Sequence, residues 1–196
     1  MHPPDAAETS LIDRIKARIA ETPELSELDF LRFQREAHAL KTKDTANAFA
    51  ALGILACLKG EIKNTRRYHE TSIQYAGKSL SIHLSNYATS LQNLELYAEA
   101  VEKARAAWDA DPANIMALDI IIGSSYMGGI DKDIEYYTAK WRDLVGEEHP
   151  IVSAYLELND MRLDTEEDIS KMVLAGAESA LKDWESPEED KAWRDL

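Results

Sequence analysis

The chain is predicted to be all-α, because three features of its sequence favour helices and none favours strands. Apolar residues recur at three- and four-residue spacing along most of its length. Breaks of only about two to five residues separate these segments, and residues that cap or end helices stand at most of them. No stretch alternates apolar and polar residues between hairpin-turn signals. About ten helices are expected, at residues 10–20, 26–41, 44–58, 61–76, 80–94, 97–110, 113–127, 131–145, 150–162 and 165–185.

The first two predicted helices begin at serine caps. Ser10 precedes the first helix, which ends before Pro23. Ser26 stands three residues before Asp29, the spacing at which a capping side chain reaches the first free backbone N–H groups. Apolar side chains then recur at helical spacing, Ile12, Ile15 and Ile19 on the first helix and Leu28, Leu31, Phe33 and Ala37 on the second.

The central helices are separated by equally short breaks. Asp44 can cap the third helix, and Gly60 can end it in a left-handed conformation. Gly77 closes the next helix, and Pro112 falls in a later break. Because the connections are so short, consecutive helices are expected to pack antiparallel as hairpins.

The ends of the chain are assigned by the same signals. Residues 1–9 are expected to form a flexible N-terminus, and residues 10–185 a single helical domain. Pro150 suits the first turn of a helix. Residues 186–196 begin with a strong cap, Ser186-Pro187, but are too short for a stable isolated helix, so a short C-terminal helix or tail is expected there.

A repeat of about 34 residues underlies the helical pattern. Its clearest unit has Leu84, Tyr87, Ala88 and Leu91 on one helix and small residues on the next. Similar spacing begins at Phe49 and, less regularly, near Leu118. The small residues of the central unit let paired helices approach closely, and these are Ala88, Ala100, Ala104 and Ala107, followed by Pro112.

This pattern resembles the tetratricopeptide repeat (TPR) family over residues 46–148. The resemblance implies a right-handed α-solenoid of stacked antiparallel hairpins. The flanking helices are compatible with further, divergent hairpins. The alternative is a helical bundle without repeats, although each hairpin would still need neighbours to bury its apolar face.

Composition excludes several classes of function. The 36 acidic and 22 basic residues give a net charge of −14, which opposes binding to nucleic acid or to an anionic membrane. The single cysteine, Cys57, allows neither an internal disulfide nor a cysteine zinc site. The longest apolar run, residues 48–58, is too short to span a bilayer. Without a recognisable signal peptide, a cytoplasmic protein is expected.

No motif indicates an enzyme. Gly77-Lys78-Ser79 ends like a phosphate-binding loop, but position 72 holds serine where that motif needs glycine. No two of the five histidines have the spacing of metal ligands on a helix. The sequence therefore predicts no catalytic residue, no metal and no cofactor.

The family resemblance places a partner-binding groove on the first helix of each hairpin. It implies that another protein binds there as an extended peptide or a helix, through an apolar or basic segment. Because cations are missing from the matched positions, weak or no binding of acidic C-terminal peptides is expected. The implied groove residues are Asn47, Ala50, Ile54, Cys57, Ile82, Ser85, Asn86, Thr89, Gln92, Asp119, Gly123 and Tyr126.

Three alternatives remain open from the sequence. A terminal segment of the chain could fill the groove. The acidic C-terminal part, with a net charge of −8 over residues 150–196, could neutralise a basic partner, as an immunity-type regulator would. Residues 41–69 carry a net charge of +4, so head-to-tail self-association is also allowed. The leading prediction is an adaptor or chaperone that acts without catalysis.

Overall fold

A computed structural model describes residues 10–22, 24–130 and 133–154, and every regular element within them is helical. The chain divides into two compact units, residues 1–149 and 150–196. In the first unit a 3-10 turn, Gly77–Ser79, precedes the fifth of the described helices. The helices are α1 (Leu11–Glu21), α2 (Glu27–Leu40), α3 (Thr45–Leu58), α4 (Ile62–Tyr75), α5 (Leu80–Asn93), α6 (Tyr97–Ala110), α7 (Ile115–Gly128) and α8 (Ile134–Val145).

Of the second unit, residues 150–154 are described, and they are helical from Pro150 onward. The rest of the predicted helix at 150–162 lies outside the described residues. The same holds for the helix predicted at 165–185, the C-terminal segment 186–196 and the N-terminal residues 1–9.

Side-chain caps fix the starts of the first three helices. The side chains of Ser10, Ser26 and Asp44 each accept a hydrogen bond from the backbone N–H three residues ahead. These bonds satisfy donors that have no partner inside the helix. The predicted caps at these three residues are confirmed. The cap predicted at Ser186 lies outside the described residues. Asn114 caps α7 in the same way.

Left-handed residues set the ends of helices. Gly60 has a φ of +69° after α3, as its position predicts, and Gly129 has a φ of +63° after α7. Asp133 also has a positive φ, +65°, and therefore cannot belong to an α-helix. For this reason α8 begins at Ile134 and not at residue 131, where the sequence pattern placed its start.

The helices pack in a regular pattern. Each consecutive pair from α2 to α8 is in contact, as are α1 and α2. In addition, α1 contacts α3, α3 contacts α5, and α5 contacts α7. We call α1, α3, α5 and α7 the odd-helix layer. Helix α3 contacts four neighbours, α1, α2, α4 and α5, and it carries apolar or small residues on nearly all sides.

Helix α2 buries a different set of residues from the one its apolar spacing indicates. Leu28 and Leu31 are 78% and 49% exposed. The buried face consists of Phe30, Phe33 and Ala37, which join the core cluster with α1 and α3. This face places two aromatic rings in the core, each with more apolar area than a leucine.

One histidine ring joins three helices. His69 of α4 is fully buried and lies directly against Gly53 of α3. On its other side the ring stacks on Tyr87 of α5, with centroids 5.0 Å apart. A β-carbon at position 53 would lie 2.6 Å from His69 Cδ2, so only glycine allows this close approach.

We predict that Gly53→Ala lowers the free energy of unfolding by about 1–3 kcal/mol, the usual cost of overpacking a core. The cost outweighs the gain of about 1 kcal/mol in helix propensity, because a stacked and buried ring cannot move aside easily. Urea denaturation followed by circular dichroism measures the change.

Gly123→Ala in α7 is the matched control. The nearest atom to its added β-carbon is Gln92 Nε2, at 3.1 Å, the end of a flexible side chain. No loss of stability is expected for this variant. A Gly53→Ala protein as stable as the unmodified chain would contradict the packing described for His69.

Candidate functional site

Helix α5 presents part of the predicted groove on one side. Ile82, Asn86 and Thr89 are spaced by four and three residues and therefore share a face of the helix. We call these three residues the α5 face. Ile82 is 55% exposed, whereas Thr89 is partly buried and donates its hydroxyl proton to the backbone oxygen of Ser85. The α5 face therefore offers an accessible apolar side chain beside polar ones.

A lysine from α1 reaches the α5 face. Lys16 Nζ donates a hydrogen bond to Asn86 Oδ1 at 2.9 Å, although the two residues are 70 positions apart in the chain. Asn86 is only 2% exposed. Partial desolvation lowers the pKa of Lys16, and the nearby carboxylate of Asp13 opposes this shift. A cation thus lies at the face where the sequence predicted only uncharged groups.

Five predicted groove residues are buried, namely Ala50, Cys57, Ser85, Asn86 and Gly123. Ala50 and Ser85 have no exposed surface, and Cys57 is 7% exposed. The Ser85 hydroxyl accepts a hydrogen bond from Asn114 Nδ2 at 2.9 Å, which ties α5 to the start of α7. Ala50, Ser85 and Cys57 therefore serve the packing between helices and do not line an accessible surface. Ile54 is partly buried against the core cluster.

Asn47 lies at a different edge of the layer. Its side-chain amide donates to Asp44 Oδ2 at 2.6 Å, so it supports the cap of α3. It also lines a cavity of about 500 Å³ between α1, α2 and the start of α3, together with Arg14 and Lys43. The structure does not bring Asn47 onto the α5 face.

The predicted groove residues on and beside α7 each contact a different part of the protein. Asp119 is bonded to His149, with 2.9 Å between Oδ1 and Nε2. Gln92 lies over Gly123, close enough that a β-carbon there would meet its amide. Tyr126 is partly buried and lines a cavity of about 250 Å³ that is otherwise formed by α8. Tyr126 therefore belongs to the α7–α8 contact.

Polar side chains are buried where the hairpin α3–α4 meets α5. The Ser72 hydroxyl donates to the Ala46 carbonyl at 2.9 Å and lies 2.7 Å from His83 Nδ1. Since a serine has one hydroxyl proton, Nδ1 of His83 must carry the proton that it donates to Ser72. Nearby, His69 Nε2 lies 2.9 Å from Ser90 Oγ.

The electrostatics of this junction favour neutral histidines. Burial and, to a smaller extent, the nearby His83 together lower the pKa of His69 to about 3. Burial also lowers the pKa of His83, whereas the carboxylate of Asp44 acts in the opposite direction. The thiol of Cys57 donates to the Ser90 carbonyl, and burial raises its pKa. The junction is therefore a buried hydrogen-bonded seam in which the neutral forms of both histidines are favoured.

The sequence reasoning missed Lys16 because α1 lies outside the residues that match the repeat. The available signal was its position directly after Ile15, which lies on the buried face of α1. A lysine at the border of a buried helix face can lay its stem along the apolar surface and bring its ammonium group to a neighbouring helix.

Two structural features are absent from the described residues. No cluster of three histidine, cysteine or acidic side chains there has a geometry that could hold a metal ion. No helix in the described part of the chain combines the length and apolarity needed to cross a membrane. In comparisons with known proteins, no model of a protein family and no curated protein matches the sequence.

We predict that His69 makes the stability of the protein sensitive to acid. Below about pH 6.5, the ordinary pKa of histidine, residue 69 of the unfolded chain binds a proton. In the folded chain His69 stays neutral until the pH approaches about 3, the pKa of the buried ring. Stability is therefore lost as pH falls through this window, by about 1.4 kcal/mol per pH unit for this one group.

Urea denaturation at several pH values between 7 and 4.5 measures this dependence. In His69→Gln the slope of the free energy of unfolding against pH should fall by the equivalent of about one proton. The control His38→Gln, at an exposed position of α2, should keep the slope of the unmodified chain. An unchanged slope in His69→Gln would show that this ring does not resist protonation.

Proposed function

We propose that the chain is a TPR-like, right-handed solenoid that acts without catalysis as a cytoplasmic protein-interaction module, an adaptor or chaperone. Its groove would hold a peptide or helix of a partner along the odd-helix layer. The observation that carries this proposal is the succession of contacts α1–α3, α3–α5 and α5–α7, which makes one helix of each hairpin part of a continuous layer.

Helix length and spacing support the same proposal. Helices α3, α5 and α7 each contain 14 residues and begin at Thr45, Leu80 and Ile115, so successive starts are 35 residues apart. Their partners α4 and α6 also contain 14 residues. Equal hairpins at a constant interval are the expected consequence of stacked repeats.

The exposed groups suit a polypeptide ligand. Ile82 supplies apolar surface for a partner side chain, and Thr89 and Gln92 on the same helix are only partly buried, so their polar groups lie near the surface. A peptide bound in this way would combine apolar contact with hydrogen bonds to its own backbone.

We predict that Ile82→Asp abolishes capture of the natural partner, because a charge would replace the main accessible apolar contact of the groove. Affinity purification from the native cell with quantitative mass spectrometry measures the capture. Leu28→Asp is the matched control. Like Ile82, Leu28 is an exposed aliphatic side chain on a helix, but it lies on α2, outside the odd-helix layer.

Equal loss of partner in both variants, or in neither, would contradict binding at the groove. Capture that survives Ile82→Asp but disappears at moderate salt would favour the alternative, in which the acidic C-terminal surface neutralises a basic partner.

A further inference from the structure

A row of cations and aromatic rings runs from the end of α2 across α3 to α4. Lys41 Nζ lies 4.8 Å from the centre of the Phe49 ring, and Arg67 Cζ lies 4.8 Å from the centre of the Tyr68 ring. The centres of the two rings are 6.1 Å apart. We call these four residues the basic–aromatic row. Arg67 is exposed, and the other three are partly buried, so the row belongs to the surface.

The positive charges of the row have no carboxylate partner. Neither Lys41 nor Arg67 forms an ion pair with a described residue, whereas the neighbouring Arg66 pairs with Glu99 of α6. Lys63, which also lacks an ion pair with a described residue, stands four residues before Arg67 and therefore on the same side of α4. Like charges at this spacing destabilise a helix, and an anionic surface opposite them would remove the repulsion.

The aromatic rings hold the two cations in place before any partner binds. A cation above a ring face is attracted by the electrons of the ring. Side chains that are already ordered lose less freedom when an interface forms. Aromatic and arginine side chains are also enriched in the interfaces between proteins. The row therefore suits a protein surface that offers carboxylates beside apolar groups.

Such a surface is present on α6 of the same chain. Ala98, Glu102, Ala106 and Asp109 are spaced by four, four and three residues, so they share one face of the helix, and all four are exposed. We call them the α6 acidic face. The face borders a cavity of about 420 Å³, and the other residues that line this cavity are Val101, Arg105 and Ile130. The small alanine side chains leave space for a ring from a partner.

The charges on and around the α6 acidic face are mainly negative. Glu102 is bonded to Lys103, and Arg105 pairs with Asp133. Asp109 forms no ion pair with a described residue. Residues 95–111 as a whole contain five acidic and two basic residues, a net charge of −3.

These two surfaces make a second copy of the chain the occupant that the charges favour. Residues 41–69 carry a net charge of +4, although the whole chain carries −14, so the basic region of one copy is attracted to the acidic remainder of another. At physiological ionic strength, charges more than about 8 Å apart are largely screened, so the charges that face each other outweigh the net charge of the two copies. The same net charge opposes a nucleic acid as the occupant.

We propose that the basic–aromatic row of one copy binds the α6 acidic face of a second copy. Because the contact joins two different surfaces, it is heterologous and leaves each copy in a pair with one surface free, so further copies can add head to tail. Neither surface contains a residue of the α5 face. The proposal therefore goes beyond the groove function and does not depend on it.

Sedimentation equilibrium of the full chain measures this association. At about 50 mM salt the average mass should exceed the 22.0 kDa of one chain and rise with protein concentration up to about 1 mM, the range of weak protein contacts. At about 500 mM salt the dissociation constant should be at least about tenfold higher, because salt screens the charges of the contact.

Charge reversal on each surface tests its part in the contact. Arg67→Glu and Asp109→Lys should each raise the dissociation constant at least about tenfold, because like charges would then face each other. An equimolar mixture of the two variants should recover complexes of two chains. The Arg67→Glu copy keeps an unmodified α6 acidic face, and the Asp109→Lys copy keeps an unmodified row.

Two further variants are the matched controls. Lys78→Glu changes the net charge as Arg67→Glu does, and Glu147→Lys changes it as Asp109→Lys does. Both positions are exposed and lie outside the two surfaces. These variants should associate like the unmodified chain. Thermal unfolding followed by circular dichroism verifies that all four variants are folded.

An unmodified chain that sediments as single molecules at both salt concentrations would overturn the proposal. Equal weakening by Arg67→Glu and Lys78→Glu would also contradict it, since only the net charge would then matter, as would a mixture of the two reversed variants that stays monomeric. Ile82→Asp should associate like the unmodified chain, and loss of association in this variant would place the contact at the groove instead. The groove function is tested separately by capture of the natural partner.

Discussion

The need to cover α3 on all sides shapes the first unit of this protein. Its sequence, from Thr45 to Leu58, places methyl groups, branched chains and a glycine around nearly the whole circumference, and nine of its residues are buried. A helix without a polar face must be surrounded by other elements. Four helices contact it, and the contact with α1 brings Lys16 within reach of α5. The hydrogen bond between Lys16 and Asn86 is therefore a consequence of how the core is closed.

The junction between hairpins adds specificity to this packing. Small residues allow α4 and α5 to approach α3, but the side chains that fill the seam are polar, among them His69, Ser72 and His83. Buried polar groups stabilise a structure only where their partners are in the right place. Ser72 meets this condition by bonding to both Ala46 and His83, so the hairpins have one register in which these donors and acceptors are paired.

Much of the fold could be predicted from the sequence, because helix boundaries depend on local chemistry. Caps such as Ser26 and Asp44 and the left-handed Gly60 act within a few residues of their own position, and α1 to α7 begin and end close to the expected positions. The start of α8 could not be predicted, because nothing in the pattern indicated that Asp133 adopts a positive φ.

The candidate site was less predictable, because it depends on contacts between distant helices. Consecutive helix positions differ by about 100° in direction, so a small error in which side faces outward placed Ala50 and Ser85 at the surface although both are buried. The sequence also predicted Asn86 as a groove residue, but its bond to Lys16 spans 70 positions, and no local pattern encodes it.

The coverage of α3 is tested most directly by native-state hydrogen exchange followed by NMR. If α1, α2, α4 and α5 enclose it, amides from Leu52 to Ala56 should exchange only through global unfolding, with the full denaturant dependence of that transition. The amide of Ile15, whose side chain is fully buried in α1, should remain protected under the same conditions. Exchange of the α3 amides through local opening, without denaturant dependence, would contradict the claim that four helices enclose α3.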